Sequence, residues 1–69
     1  MFMVFGDNFK KLRHEANLSQ KEVANSLGIY QSNISDWEND VSRPEYEKLI
    51  QLAKLYDCSI ADLLGVEEA

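Results

Sequence analysis

Ser19 and Gly28 bracket eight residues, and the two ends carry opposite helix-boundary chemistry. Ser19-Gln20-Lys21-Glu22 sets a hydroxyl three residues before a carboxylate, the reciprocal arrangement of a capping box. Gly28 stands where a helix ends in a left-handed residue, a conformation that glycine adopts without a Cβ penalty. A second helical pattern, with Ile34 and Trp37 three apart, spans about Gln31–Glu38 and begins two or three residues after the first ends. Two short helices joined so tightly must cross steeply, at about 90–120°. Ala24 lies one turn before the glycine, where a close approach of helices leaves space for little more than a methyl. No other feature limits the fold as strongly.

The same spacing recurs along the chain, and alternating strand patterns are absent. Phe5, Phe9, Leu12 and Ala16 form one stripe of a first helix whose other face holds Lys10, Lys11, Arg13 and His14. Asn17 and Leu18 end it. Residues 39–44, closing with Pro44, read as a loop. From Glu45, the positions Tyr46, Leu49, Ile50, Ala53 and Tyr56 make a fourth amphipathic helix, which Asp57-Cys58 breaks. Ser59, with Asp62 three residues on, caps a last short helix holding Ile60, Leu63 and Leu64. Val23, Leu27, Ile29, Ile34 and Trp37 of the helix pair face the first and fourth helices, and Phe9, Trp37 and Tyr46 are expected in the core. Five helices with short connections predict a compact all-α domain.

At 69 residues the chain has room for one domain, residues 1–69, with the helix pair over 20–39 as its centre. One cysteine closes no intrachain disulfide, and with one histidine it cannot fill a four-ligand zinc site. No nucleophile–base pair, metal set or phosphate loop appears, so no catalytic residue, metal or cofactor is expected. His14 reads as an exposed helix residue and Cys58 as a small buried hydrophobe. The apolar residues 1–5 are too short for a membrane span or signal segment, which makes a cytoplasmic protein the expectation. Residues 1–4 and 66–69 are expected to be flexible or to contact a second copy.

Seven basic against twelve acidic side chains give a net charge of −5, the reverse of what a phosphate-binding protein usually carries. The charge is unevenly spread. Residues 1–21 hold Lys10, Lys11, Arg13 and Lys21 against Asp7 and Glu15, whereas three basic and ten acidic groups occupy 22–69. In the second helix of the pair, Gln31, Ser32, Asn33, Ser35 and Asp36 fall on the outer face. None is apolar, and all can hydrogen-bond.

The stretch Ser19-Gln20-Lys21-Glu22-Val23-Ala24, then Leu27-Gly28-Ile29, then Ile34-Ser35-Asp36-Trp37-Glu38-Asn39, resembles the lambda-repressor-like, Cro-type helix-turn-helix family of bacterial and phage regulators. Phe9-Lys10-Lys11-Leu12-Arg13 resembles its first helix, Arg43-Pro44 its loop, and Leu49 to Ala53 and Ser59 to Leu64 its last two helices. The resemblance covers about residues 5–65. It implies a third helix lying in the major groove while the second crosses the backbone. It also implies base-edge contacts from Gln31, Ser32, Asn33 and Asp36. The amides of Gln31 and Asn33 have the geometry for a bidentate contact with adenine. Phosphate contacts are implied for Ser19, Gln20, Lys21, Tyr30, Ser35, Asn39, Ser42 and Arg43, with Lys10 as a less specific addition. Arg13 and Glu38 match a structural ion pair between the first helix and the end of the recognition helix.

Departures from the family pattern carry their own expectations. Tyr30 occupies a position usually given to a Ser or Thr cap. Trp37 is larger than the usual aliphatic residue. Asp40 and Asp57 replace frequent glycines, and aspartate tolerates the left-handed region better than most residues. Asp36 would be repelled by phosphate unless it accepts a hydrogen bond from cytosine N4.

Together these readings imply a sequence-specific binder of double-stranded DNA, a small transcriptional regulator of the repressor kind, working as a homodimer on a pseudo-palindromic operator. A competing reading is an acidic protein-interaction module of the same fold, such as an antitoxin, adaptor or repressor-neutralising partner. Net charge and Asp36 favour the second; Gln20, Gln31, Asn33, Asn39 and Arg43 favour the first.

Overall fold

The computed structural model describes residues 5–65, so the expectations for residues 1–4 and 66–69 lie outside the described residues. Five helices follow in order: α1 Phe5–Glu15, α2 Gln20–Leu27, α3 Gln31–Glu38, α4 Tyr46–Leu55 and α5 Ile60–Leu64. No strand occurs among the described residues. The core is one cluster of Phe9 from α1, Val23, Ala24 and Leu27 from α2, Ile34 and Trp37 from α3, Leu52 and Ala53 from α4, Tyr56, and Leu63 from α5.

The α2 boundaries follow from its caps. Ser19 Oγ accepts from the Glu22 amide at 3.0 Å, and the Glu22 carboxylate accepts from the Ser19 amide at 3.0 Å. At the other end Gly28 takes φ 68°, the Ile29 amide reaches back to the Ala24 carbonyl at 3.0 Å, and the Gly28 amide reaches Asn25 at 3.3 Å. That paired return is a Schellman motif, which satisfies carbonyls the helix would otherwise leave open. α5 repeats the entry, with Ser59 and Asp62 forming a second capping box.

The Schellman ending is general. Leu18 returns to Arg13 and Asn17 to His14 after α1; Val41 returns to Asp36 and Asp40 to Trp37 after α3; Cys58 returns to Ala53 and Asp57 to Lys54 after α4. The left-handed residues are Asn17 (φ 58°), Asp40 (φ 60°) and Asp57 (φ 54°). Four successive helices therefore stop by one device, with glycine at only one of the four stops.

Two helix faces differ from those expected. In α1 the buried residues are Gly6, Phe9 and Arg13, while Phe5, Leu12 and Ala16 are half-buried. Positions 6, 9 and 13 form a helical stripe as regular as 5, 9, 12 and 16, rotated by about one residue. A glycine and an arginine hid it from a count of apolar residues. In α4, Tyr46 is 68% exposed rather than core, and Leu52, outside the expected stripe, is 1% exposed. Tyr46 occupies the first turn of α4, whereas the buried residues of this region are Leu52, Ala53 and Tyr56.

Gly6 shows why α1 and α3 lie so close. A Cβ at this position would come within 2.7 Å of the Glu38 carbonyl carbon and 2.8 Å of Asp40 Oδ2. Two residues on, the Asn8 side-chain amide donates to the carbonyls of Asp62 and Leu63, tying the same end of α1 to α5. Trp37 and Phe9 are core residues, 8% and 2% exposed, so the larger aromatic at position 37 is accommodated.

Candidate nucleic-acid interface

The helix pair brings α3 to the surface with one face buried and one free. Ile34, Trp37 and Glu38 are buried; Gln31 and Ser32 are exposed; Asn33, Ser35 and Asp36 are half-buried. Burial of the apolar face against α1 and α2 fixes which side chains α3 presents outward, because positions three and four apart share a face. Tyr30 precedes α3 in extended conformation, makes no side-chain cap and is 81% exposed. The first-turn amides of α3 are thus not covered by a cap side chain, and the positive end of the helix dipole lies there.

Behind this face lies a buried ion pair. Arg13 Nε donates to Glu38 Oε2 at 2.6 Å and Arg13 Nη2 to Glu38 Oε1 at 3.1 Å, while Nη1 donates to the Leu18 carbonyl at 2.9 Å. The two side chains are 8% and 4% exposed. Hydrogen bonding to the Glu38 carboxylate holds the Arg13 guanidinium above its ordinary range against the opposing effect of burial. The pair passes its geometry outward. Gln20 Nε2 donates to Glu38 Oε1 at 3.1 Å, and Gln20 Oε1 accepts from Gln31 Nε2 at 3.4 Å. A continuous chain Arg13–Glu38–Gln20–Gln31 therefore runs from the interior to the exposed start of α3.

The other expected contact residues are held in different ways. Asn39 folds back on α3, its Nδ2 donating to the Ser35 carbonyl at 2.9 Å and to Ser35 Oγ at 3.2 Å. Arg43 pairs with Asp40 at 3.0 Å and lies over the Phe5 ring. Ser19 is engaged in its capping box, whereas Lys21, Ser32 and Ser42 are exposed. Asp36 contributes its backbone carbonyl to the turn, accepting from Val41 and Ser42, and its side chain remains at the half-buried edge of the face.

Sequence reasoning missed Asp40 and Phe5 as neighbours of Arg43, and Gly6 as a partner of Asp40. The signal is present in part, since Asp40 and Arg43 are three apart and of opposite charge. A cleft between α1 and the α4–α5 turn is unlike the α3 face. Glu15, Asp57 and Asp62 line it together with Lys11, Leu12 and Cys58, and three carboxylates against one ammonium oppose a polyanion there. Burial pushes the Cys58 thiol up, helped by Asp62 and Asp57, which disfavours a reactive thiolate.

Comparisons with known proteins point the same way as the geometry. A helix-turn-helix family model matches residues 9–63. The chain is 38% identical over 66 residues to the HTH-type transcriptional regulator ImmR of Bacillus subtilis (strain 168), covering 96% of this chain and 52% of ImmR. It is 34% identical over 65 residues to the cryptic phage CTXphi transcriptional repressor RstR of Vibrio cholerae, covering 94% of this chain and 59% of RstR. The chain thus spans about half the length of the curated relatives it matches. Among solved structures, the P22 c2 repressor in complex with a synthetic operator superposes with a TM-score of 0.86 at 26% identity, covering 96% of this chain and 100% of that one.

Proposed function

The chain belongs to the Cro/C1-type helix-turn-helix family, and from that premise we propose that it binds double-stranded DNA in a sequence-specific way as a small transcriptional regulator of the repressor kind. The observation that carries this reading is the hydrogen-bonded chain from Arg13 through Glu38 and Gln20 to Gln31. It holds an exposed carboxamide at the start of α3, and a carboxamide can meet adenine N6 and N7 with two hydrogen bonds. In this reading Gln31, Ser32, Asn33 and Asp36 face base edges. Gln20 and the uncovered amides near it take a phosphate, as helix N-termini do. Ser19, Lys21, Tyr30, Ser35, Asn39, Ser42 and Arg43 border the backbone.

One module of this size makes too few contacts for tight binding, so a homodimer on two half-sites about 10 bp apart is expected. No helix among the described residues is long and apolar enough to cross a membrane. A bacterial or phage regulator of this kind would act in the cytoplasm. Selection from random duplexes tests the function: a symmetric site with two half-sites about one helical turn apart should be enriched. Recovery of no sequence would instead favour an acidic protein-binding module of the same fold.

A further inference from the structure

Asp40 and Arg43 lie in the segment that follows α3, and one carboxylate oxygen serves two partners. Asp40 Oδ1 accepts from the Gly6 amide at 3.0 Å and from Arg43 Nη1 at 3.0 Å. The same guanidinium lies over the Phe5 ring, with Cζ 4.5 Å from the ring centroid. Both restraints reach back to the first turn of α1. Asp40 is itself well fixed: its backbone is left-handed, it closes the Schellman turn of α3, and its approach to Gly6 depends on the missing Cβ there. Yet the Arg43 side chain is still 50% exposed. A guanidinium has five N–H donors in a rigid plane, and Asp40 engages only one of them.

We propose that Asp40, with Phe5, is a positioning residue that holds the Arg43 guanidinium ready for a DNA phosphate. The proposal rests on the DNA-binding reading and deepens it: α1's first turn becomes part of the backbone clamp. A free arginine loses rotamer freedom when it grips a phosphate, and restraint before binding removes part of that loss. For one long side chain the gain is roughly 2- to 12-fold in affinity. The Asp40 charge also repels phosphate in general, but that effect is present whether or not Arg43 is there. A double-mutant cycle separates the two.

The test uses the full chain, an operator duplex recovered by selection, and the variants D40N, R43A and D40N/R43A. Asparagine tolerates the left-handed backbone and keeps an oxygen for the Gly6 amide, so D40N removes the charge that holds Arg43, leaving at most a neutral hydrogen bond, while sparing the turn. R43A should weaken operator binding roughly 2- to 12-fold more in the wild-type background than in D40N. It should also lower the salt slope by about 0.9. F5L, which removes the ring face but leaves the carboxylate, should shrink the R43A penalty in the same sense. Equal R43A penalties in both backgrounds, or a larger one in D40N, would overturn the positioning role while leaving DNA binding intact. A wild-type chain that binds no duplex would overturn both.

Discussion

Arg13 and Glu38 account for the alignment of α1, α3, the half-buried Gln20 and the exposed Gln31. A buried ion pair gains little over apolar packing, but removing one partner leaves the other charge desolvated and unmatched. Glu38→Gln should therefore destabilise the fold by roughly 3–5 kcal/mol, read as a lower urea midpoint. A domain this small has little stability to lose. Arg13→Met combined with Glu38→Leu should recover most of the loss. Full destabilisation in the double variant would show that the pair matters through packing volume and not through unpaired charge. Gln31 makes a different kind of prediction. Gln31→Ala should relax preference at one base pair by about 1–3 kcal/mol and leave other positions unchanged, as read by binding to single-substitution operators. A uniform loss across all sequences would contradict a base contact.

At the scale of the helix, the endings repay comparison. Gly28, Asn17, Asp40 and Asp57 all hold the left-handed position of a Schellman turn, but only glycine does so without strain. Asp57 is exposed, so Asp57→Gly should stabilise the chain by about 0.5–1 kcal/mol in thermal or urea unfolding, the left-handed penalty of roughly 1–2 kcal/mol less glycine's entropic cost. A loss of stability would mean that the Asp57 side chain makes a contribution beyond its backbone. The caps were legible in the sequence because they consist of specific residue pairs at fixed spacing: Ser19 with Glu22, Ser59 with Asp62, and Gly28. The α3 span was legible for the same reason. The faces of α1 and α4 were less so. A buried stripe written as Gly6, Phe9 and Arg13 contains a single apolar side chain, and Tyr46 has the right spacing but lies in the first turn of its helix, outside the buried set. Such residues are identified by what packs on them, which periodicity does not contain. The Arg43 cluster was hidden for a related reason, since Phe5 and Gly6 are more than thirty positions away.

At the scale of the molecule, charge and titration are unevenly placed. The face built from Gln20, Gln31, Ser32, Asn33, Asn39 and Arg43 is neutral to basic apart from Asp36 and the paired Asp40. Glu15, Asp57 and Asp62 gather in the cleft between α1 and α4–α5. The fold's alkaline limit should come from Tyr56 and Cys58. Burial pushes the Tyr56 phenol above its ordinary 10.0, with Glu38 adding to the effect and Arg13 opposing it. The folded chain then keeps a proton that the unfolded chain releases, so stability is intact below about pH 10 and falls above it, at up to about 1.4 kcal/mol per pH unit. Cys58, also raised, brings the start of the decline down toward its ordinary 9.0. Tyr56→Phe should flatten the steeper limb in urea midpoints measured from pH 8 to 11. An unchanged limb would place the titrating group elsewhere.

Net acidity has a further consequence for DNA. Non-specific affinity depends on phosphate neutralisation, which this chain supplies sparingly, whereas base contacts by neutral amides do not suffer from the charge. Competition binding between a selected operator and a scrambled duplex of the same length, across a salt series, measures both at once. The operator should be preferred by at least about 10³-fold, with log K for each duplex falling against log salt at about −0.9 per phosphate contacted. Equal affinity for the two duplexes, or binding to neither, would contradict a regulator that reads sequence through α3.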